Sequence, residues 1–329
     1  MSKMTPEGMR GVRAPPEWVA EISTTLYIGL IALAAQASGY FYILFPELGA
    51  LGHDILKRPR GAWARAPLML VLTPLATAGV GTLITRHLPY GLTSVLLDVG
   101  FSVLAITGLR SPIAPAISAG LLPLTLGIRS LRYPPSLLIG TGMLACIALL
   151  RARMTAPAAP TVAPARDRVD DEVEEAPVTL SWVPFFVVFI ILAVVAGELT
   201  GWRLVLFPPL VVIGFEAFAH PAVCPWAARP LALGAACGLA ATAGVLCVSF
   251  LGADPLGAMC SILAGILIVR ALDLHVPPAL AVGLLPFVMA HPSFRFPAAV
   301  VLGTAIETVV FLGWRRLARA AHARAGSSG

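Results

Sequence analysis

Two short stretches place carboxylates where an apolar chain can least accommodate them. FPELGALGHDIL (45–56) sets Asp54 in an apolar run, and FPPLVVIGFEAF (207–218) sets Glu216 at the aligned position. A charged side chain at the centre of a membrane costs roughly 2.5–3.5 kcal/mol on insertion scales. A carboxylate kept there either ends a helix at the interface, where long polar side chains reach water, or lines a polar path for an ion or solute. Pro46 and Gly52 can open a helix in the first stretch, and irregular backbone at membrane depth is tolerated only beside protein or a cavity. His53 has Phe215 as its counterpart and is expected at an interface.

A second pair is RSPIAPAISAGLLP (110–123) and DLHVPPALAVGLLP (273–286). Prolines followed by small residues describe a helix start packed closely against its neighbours. The free N–H groups of such a start suit an anion. Arg110 aligns with Asp273, which allows either a cross-copy ion pair or two loop caps. His275 is a candidate for proton coupling, or a structural histidine. In SLRYP (130–134) and SFRFP (293–297), Arg132 and Arg295 recur just before a helix, where they could attract a substrate anion or a lipid headgroup. Glu198, Asp98 and Glu307 stand singly in apolar runs, each a candidate for protonation, pairing or proton relay. Gly81 with Gly244, and Gly140 with Gly303, are expected to allow close helix contact.

A membrane must hold these residues. Of 329 residues, 58% are hydrophobic and 12% charged, against about 25% charged in a typical soluble domain. Apolar runs at 22–44, 67–85, 134–150, 182–197, 231–251 and 297–314 are mostly long enough to cross ~30 Å of hydrocarbon as helix. None alternates with the period of a barrel strand. Helix one is expected to be a retained span rather than a cleaved signal. Five scattered cysteines read as small buried hydrophobes, not as a disulfide or zinc framework.

The chain repeats itself. AAQASGYFYILFP (34–46) matches AGELTGWRLVLFP (196–208) at an offset of 162, while PAISAGLLP (115–123) with PALAVGLLP (278–286) and SLRYPPSLLIGT (130–141) with SFRFPAAVVLGT (293–304) hold an offset of 163. The expected domains are an N-terminal tail (1–20), a first transmembrane repeat (21–150), a flexible acidic Pro/Ala-rich linker (151–179), a second repeat (180–314) and a basic tail (315–329). An even number of crossings per copy makes the repeats parallel, an odd number inverted. With the N-terminus, the linker, the C-terminus and the loop KRPRGAWAR (57–65) inside, as the positive-inside rule asks, two crossings must precede residue 57. The alternative is a full helix to about 44 followed by a half-helix starting at Pro46 or Pro208, with inverted repeats. The parallel arrangement is preferred.

No phosphate-binding loop, dinucleotide fingerprint, HExxH, nucleophile elbow or Cys–His cluster occurs, so no enzyme activity, cofactor or metal is expected. The basic balance fits headgroup contact rather than nucleic acid.

LHVPPALAVGLLP resembles the HPP family of integral membrane proteins, named for a His-Pro-Pro motif. His275, Pro277, Pro278, Ala279, Leu285 and Pro286 match it, Val276 interrupts it, and Pro112 stands at the histidine position of the first copy. FPELGAL with RPRGAWA is also similar to the family's Gly-Ala segment followed by Pro-Arg. The resemblance implies that each copy is one such unit and that the solute is an inorganic anion such as nitrite.

These readings predict an all-α, polytopic transmembrane bundle of two tandem pseudo-symmetric repeats in a cell (inner or plasma) membrane. The expected function is secondary transport or channelling of a small solute or ion. The alternative is a non-transporting structural or regulatory protein acting through a cytoplasmic partner of its linker. The bilayer and the solute are the expected partners, and a homo-oligomer stays open.

Overall fold

The computed structural model describes residues 17–154, 165–175, 177 and 179–326, and all regular structure among them is helical. The first half runs α1 (Glu17–Ser38), α2 (Leu48–Lys57), α3 (Pro67–His87), α4 (Leu92–Leu109), α5 (Ala116–Leu126) and α6 (Tyr133–Met154). A short helix, α7 (Ala165–Glu174), follows. The second half runs α8 (Val183–Thr200), α9 (Pro208–Ala219), α10 (Pro230–Leu251), α11 (Pro255–Ala271), α12 (Pro278–Leu284) and α13 (Arg295–Gly326). The order long, short, long, long, short, long therefore occurs twice.

Seven helices are long and apolar enough to cross a membrane: α1, α3, α4, α6, α8, α10 and the first 24 residues of α13. Their outward faces carry large apolar side chains, such as Leu26, Leu30 and Leu33 on α1 and Leu97, Phe101 and Leu104 on α4, whereas Asp54, Asp98, Glu216 and Glu307 are inside. An apolar outside over a partly charged inside suits lipid and not water. The protein is a multi-pass helical membrane protein.

Local sequence sets the breaks. Proline occupies the first turn of α3, α9, α10, α11 and α12, where its missing N–H costs nothing. The run 22–44 is not one span: α1 stops before Gly39, whose φ of 72 is matched by 70 at Gly201 after α8. Glycine is the residue that takes this left-handed conformation without a Cβ penalty. Inside α5, Pro123 removes the donor that the Ala119 carbonyl needs, and the Tyr133 hydroxyl supplies it at 2.8 Å.

Contacts between ends give the direction of each helix. Lys57 reaches Glu17 at 3.8 Å, Arg270 reaches Glu21 at 3.0 Å, and the Trp63 indole N–H donates to the Pro112 carbonyl at 2.9 Å. These place the start of α1 and the ends of α2, α4 and α11 on one face, here the linker face. Arg86 donates to the Arg129 carbonyl, and the Tyr90 hydroxyl to that of Arg203, on the far face. Residues 17–57 thus go out and return, although only α1 among them is long and apolar enough to cross a membrane. The return leg is a 3₁₀ turn (Phe41–Ile43) followed by the short helix α2, which starts two residues after Pro46.

The halves interlock. α1 packs on α11 and α4 on α8, while α2 packs on α12 and α5 on α9. The four short helices therefore meet in the interior, each about 10–18 Å long at 1.5 Å per residue. The same glycine contacts occur in each half: a Cβ on Gly81 would strike the Gly120 carbonyl, and one on Gly244 the Gly283 carbonyl. A Cβ on Gly140 would meet Leu48, and one on Gly303 the Val205 carbonyl.

Two segment expectations need correction. The acidic part of the linker is no open tether, because residues 165–174 form α7 and bury Asp170, Val173 and Glu174; residues 155–164 lie outside the described residues. The basic segment after 314 is no separate tail either, since α13 continues to Gly326.

Candidate functional site

The aligned carboxylates occupy matching places one turn before the ends of α2 and α9, on the linker-face side of the interior. Asp54 is 0% and Glu216 2% exposed. The residue closing each helix donates its N–H to that acid's own carbonyl, Arg58 to Asp54 and His220 to Glu216. Arg58 and His220 then both turn toward α7.

Arg58 is the centre of a cage. Its Nε donates to Asp54 Oδ1 at 2.7 Å and its Nη1 to Asp171 Oδ1 at 3.0 Å. A third bond runs from Nη2 to Glu174, and Asp170 stands 4.0 Å from Nε. Asp171 also accepts from the Ala62 N–H at 3.0 Å and pairs with Arg65 at the exposed rim. On the other half, His220 Nε2 lies 3.1 Å from the Glu175 carbonyl, and His275 Nε2 lies 3.2 Å from Asp170 Oδ2. α7 is thereby laid across the ends of short helices from both halves.

One guanidinium faces four carboxylates, so negative charge is in excess. Burial, reinforced by neighbouring Asp54, holds the Glu174 carboxyl well above its ordinary range despite the partial relief from Arg58. His220 is shifted the opposite way for the same primary reason, since burial disfavours its charged form.

Behind the cage the acids continue inward. Glu216 interacts electrostatically with Glu47, Asp54 and Asp170. Glu47 is wholly buried at the N-terminal end of α2, facing Ser118 of α5. Tyr133 interacts with both Glu47 and Asp98. Asp98, Tyr133, Glu47, Glu216, Asp54 and Glu174 are thus all buried between the far-face part of α4 and the linker face. Where Trp63, Trp226, Glu174, Glu216 and His275 close together, the space left is about 10 Å³, roughly one water-sized probe. A cleft of about 410 Å³ opens beside it between Asp170, Pro225, Arg229, Asp273 and His275. The small space thus lies beside a larger cleft with which it shares Asp170, Pro225 and His275.

Of the residues singled out from sequence, Asp54, Glu216 and His275 come together, and Asp273 lines the larger cleft. Arg110 and Asp273 are exposed and form no ion pair with each other. Their shared property is a positive φ, 48 and 46, at the ends of α4 and α11, so the aligned pair is a left-handed helix stop in both halves. Arg132 and Arg295 are exposed on the far face, Arg132 lying 5.8 Å over the Tyr40 ring. Glu198 is exposed near the far end of α8, close to Gly91. His53 is buried in α2 rather than set at an interface. Glu307 is buried on α13, near Cys224 and Cys237.

Sequence reasoning missed Glu47, Arg58, Asp170 and Glu174, together with the paired Trp63 and Trp226. Three signals were available: the Asp54–Arg58 spacing of four, its echo in Glu216–His220, and the recurrence of Trp63 and Trp226 at the repeat offset. Comparison with family models, curated proteins and solved structures finds no match to this chain.

Proposed function

We propose that the protein is a secondary transporter. In this reading protons move over carboxylates buried where short helices of both halves meet, and their movement is coupled to the passage of a small solute. The observation that carries it is the burial of Asp54 from one half and Glu216 from the other at matching helix ends near α7, with Glu47 buried at the start of α2. Transporters commonly place solute and coupling-ion sites where broken helices of two repeats meet. An isolated carboxylate at such depth is costly unless protonated or paired, which suits a group that takes and gives a proton.

The charge pattern favours a proton or another cation as the moving charge. Arg110, Arg132 and Arg295, the residues best suited to draw in an anion, sit exposed at helix ends, and Arg58 is already enclosed by acids. Nitrite, which the HPP-like motif implies, is consistent with this if each anion crosses with a proton. It is the first solute to try. Lys57, Arg60, Arg65, Arg151 and Arg229 on the linker face support a cytoplasmic orientation for that face in a cell membrane.

Solute flux into proteoliposomes, with and without a pH gradient, tests the reading. Asp54→Asn and Glu216→Gln should each reduce gradient-driven flux while leaving the fold intact. Wild-type flux in the double variant sinks it. The docking of α7 favours a second reading, in which a cytoplasmic partner acts through the linker. Loss of function with intact flux after deletion of 154–176 would support that alternative.

A further inference from the structure

Asp98 is fully buried in α4, and neither carboxylate oxygen has a hydrogen-bond partner. Both oxygens are aimed at α5. They lie 2.9 and 3.2 Å from the point where a Cβ on Gly120 would stand, and the Ser102 hydroxyl, one turn along α4 and likewise unpartnered, lies 2.8 Å from the same point. From α3, the Cβ position of Gly81 is 2.9 Å from Asp98 Oδ1 and abuts the Gly120 carbonyl. Three side-chain oxygens and a carbonyl converge on one buried crossing of α3, α4 and α5.

The second half shows what this crossing requires. Ser261 stands at the position matching Asp98, and its hydroxyl donates to the Gly283 carbonyl at 2.7 Å. Gly283 matches Gly120, and Gly244 matches Gly81. The carbonyl of this glycine thus meets a donor in the second half. Toward a carbonyl an ionised Asp98 offers only acceptors and a protonated Asp98 offers an O–H, while the Ser102 hydroxyl can donate to either form.

We infer that Asp98 is a proton-binding site, the far-face member of the buried carboxylates, where the bound proton does for the first half what the Ser261 hydroxyl does for the second. The inference rests on the transport reading for its purpose, though not for its geometry. Asp98 lies six residues into α4, ~9 Å from the far-face end of that helix at 1.5 Å per residue. Loading transfers one proton from a hydronium to the carboxylate: an O–H bond forms on Asp98 and a water is left behind. Tyr133 of α6 is the titratable group facing it on the inward side, its hydroxyl bonded to the Ala119 carbonyl. No charged residue occurs in α5, Arg86 of α3 is held at the surface by the Arg129 carbonyl, and Glu198 of α8 is exposed. Among the described residues, no cationic side chain acts on Asp98.

The test is infrared difference spectroscopy of the full-length protein in nanodiscs across a pH titration, in the carbonyl-stretch region of protonated carboxylic acids. A band that bleaches with rising pH is expected in the wild type and should be lost in Asp98→Asn. Asp98→Ser, which copies the second half and so retains the packing, should lose the same band. Ser261→Asp should add a second band. A spectrum unchanged by Asp98→Ser, or an Asp98 band that persists at every pH, overturns the inference, because the group would then be no exchanging site. The readout is independent of flux. A titrating Asp98 band in a protein whose flux ignores the pH gradient would reject proton-coupled transport and leave the site standing.

Discussion

Removing Arg58 should release α7. The guanidinium is 5% exposed and holds Asp54 within α2 while binding Asp171 and Glu174 on α7. Hydrogen bonds to charged groups contribute about 1.5–3 kcal/mol each, and breaking a buried pair by deleting one partner costs about 3–5 kcal/mol, since the remaining charges are left uncompensated. Against this, Arg65 with Asp171 is an exposed rim pair worth about 0–1 kcal/mol. Arg58→Met, which keeps the aliphatic stem, should therefore weaken the docking of α7 by at least about 3 kcal/mol, roughly a 150-fold change in its opening equilibrium at 1.36 kcal/mol per factor of ten.

Hydrogen exchange of the peptide covering 165–174, in detergent or nanodiscs, reads that equilibrium. Faster exchange by two orders of magnitude or more is expected, capped where α7 is fully undocked. The cause is separable from lost packing. With Asp54→Asn and Glu174→Gln added to Arg58→Met, the two carboxylates most enclosed around the missing guanidinium carry no charge, Asp171 keeps Arg65 and Asp170 keeps His275, and a large part of the protection should return. Unchanged exchange in Arg58→Met, or no recovery in the triple variant, refutes the view that charge compensation docks this helix.

Three further outcomes follow from the same structure. Gly303→Ala should destabilise the protein by about 1–3 kcal/mol, the usual cost of overpacking, because its Cβ would meet the Val205 backbone, while Gly313→Ala, with nothing within 4 Å, should be neutral or slightly stabilising in a thermal melt. Arg110→Gly and Asp273→Gly should preserve both fold and flux, whereas valine at either position should cost about 1–2 kcal/mol because of its left-handed backbone. Glu174 has its pKa raised by burial and by Asp54, so its contribution to docking is present at low pH and lost as pH rises through the raised value. Protection of α7, corrected for intrinsic exchange, should fall toward alkaline pH, and Glu174→Gln should flatten that dependence.

The frame of the fold was legible because lipid imposes simple rules. Apolar length gave most of the spans, and glycines and prolines at the repeat offset gave the breaks and close approaches. Asp54 and Glu216 stood out because a charge recurring in two apolar copies is improbable. Comparing copies was blind to Glu47, whose counterpart is Pro209, a residue with nothing to titrate. It was misled at Arg110 and Asp273, where the shared feature is a dihedral angle and the opposite charges are incidental. Arg58 was overlooked because its partners Asp171 and Glu174 lie more than a hundred residues on, in a stretch whose composition reads as unstructured. Acidic residues of that kind fold when a buried cation compensates them, and composition does not show where the cation is.

The differences between the halves show which polar groups the architecture can do without. The second half makes the same helix order and the same glycine contacts with Pro209 where the first has Glu47, Ser261 where it has Asp98, and Phe296 where it has Tyr133. The helix order and the glycine contacts therefore do not depend on these three residue types. Two of them nonetheless place carboxylates in a buried interior, where a charge costs several kcal/mol unless it is neutralised or paired. The scaffold is common to both halves, whereas the chain of titratable groups from Asp98 through Tyr133 to Glu47 belongs to the first alone, and it joins the second only at Glu216. A proton crossing by these groups would enter through one half and leave between the two, beneath α7. The two short helices α2 and α9 are thus not equivalent: α2 carries acids near both ends of its length, Glu47 and Asp54, and α9 only Glu216, near the end that α7 covers.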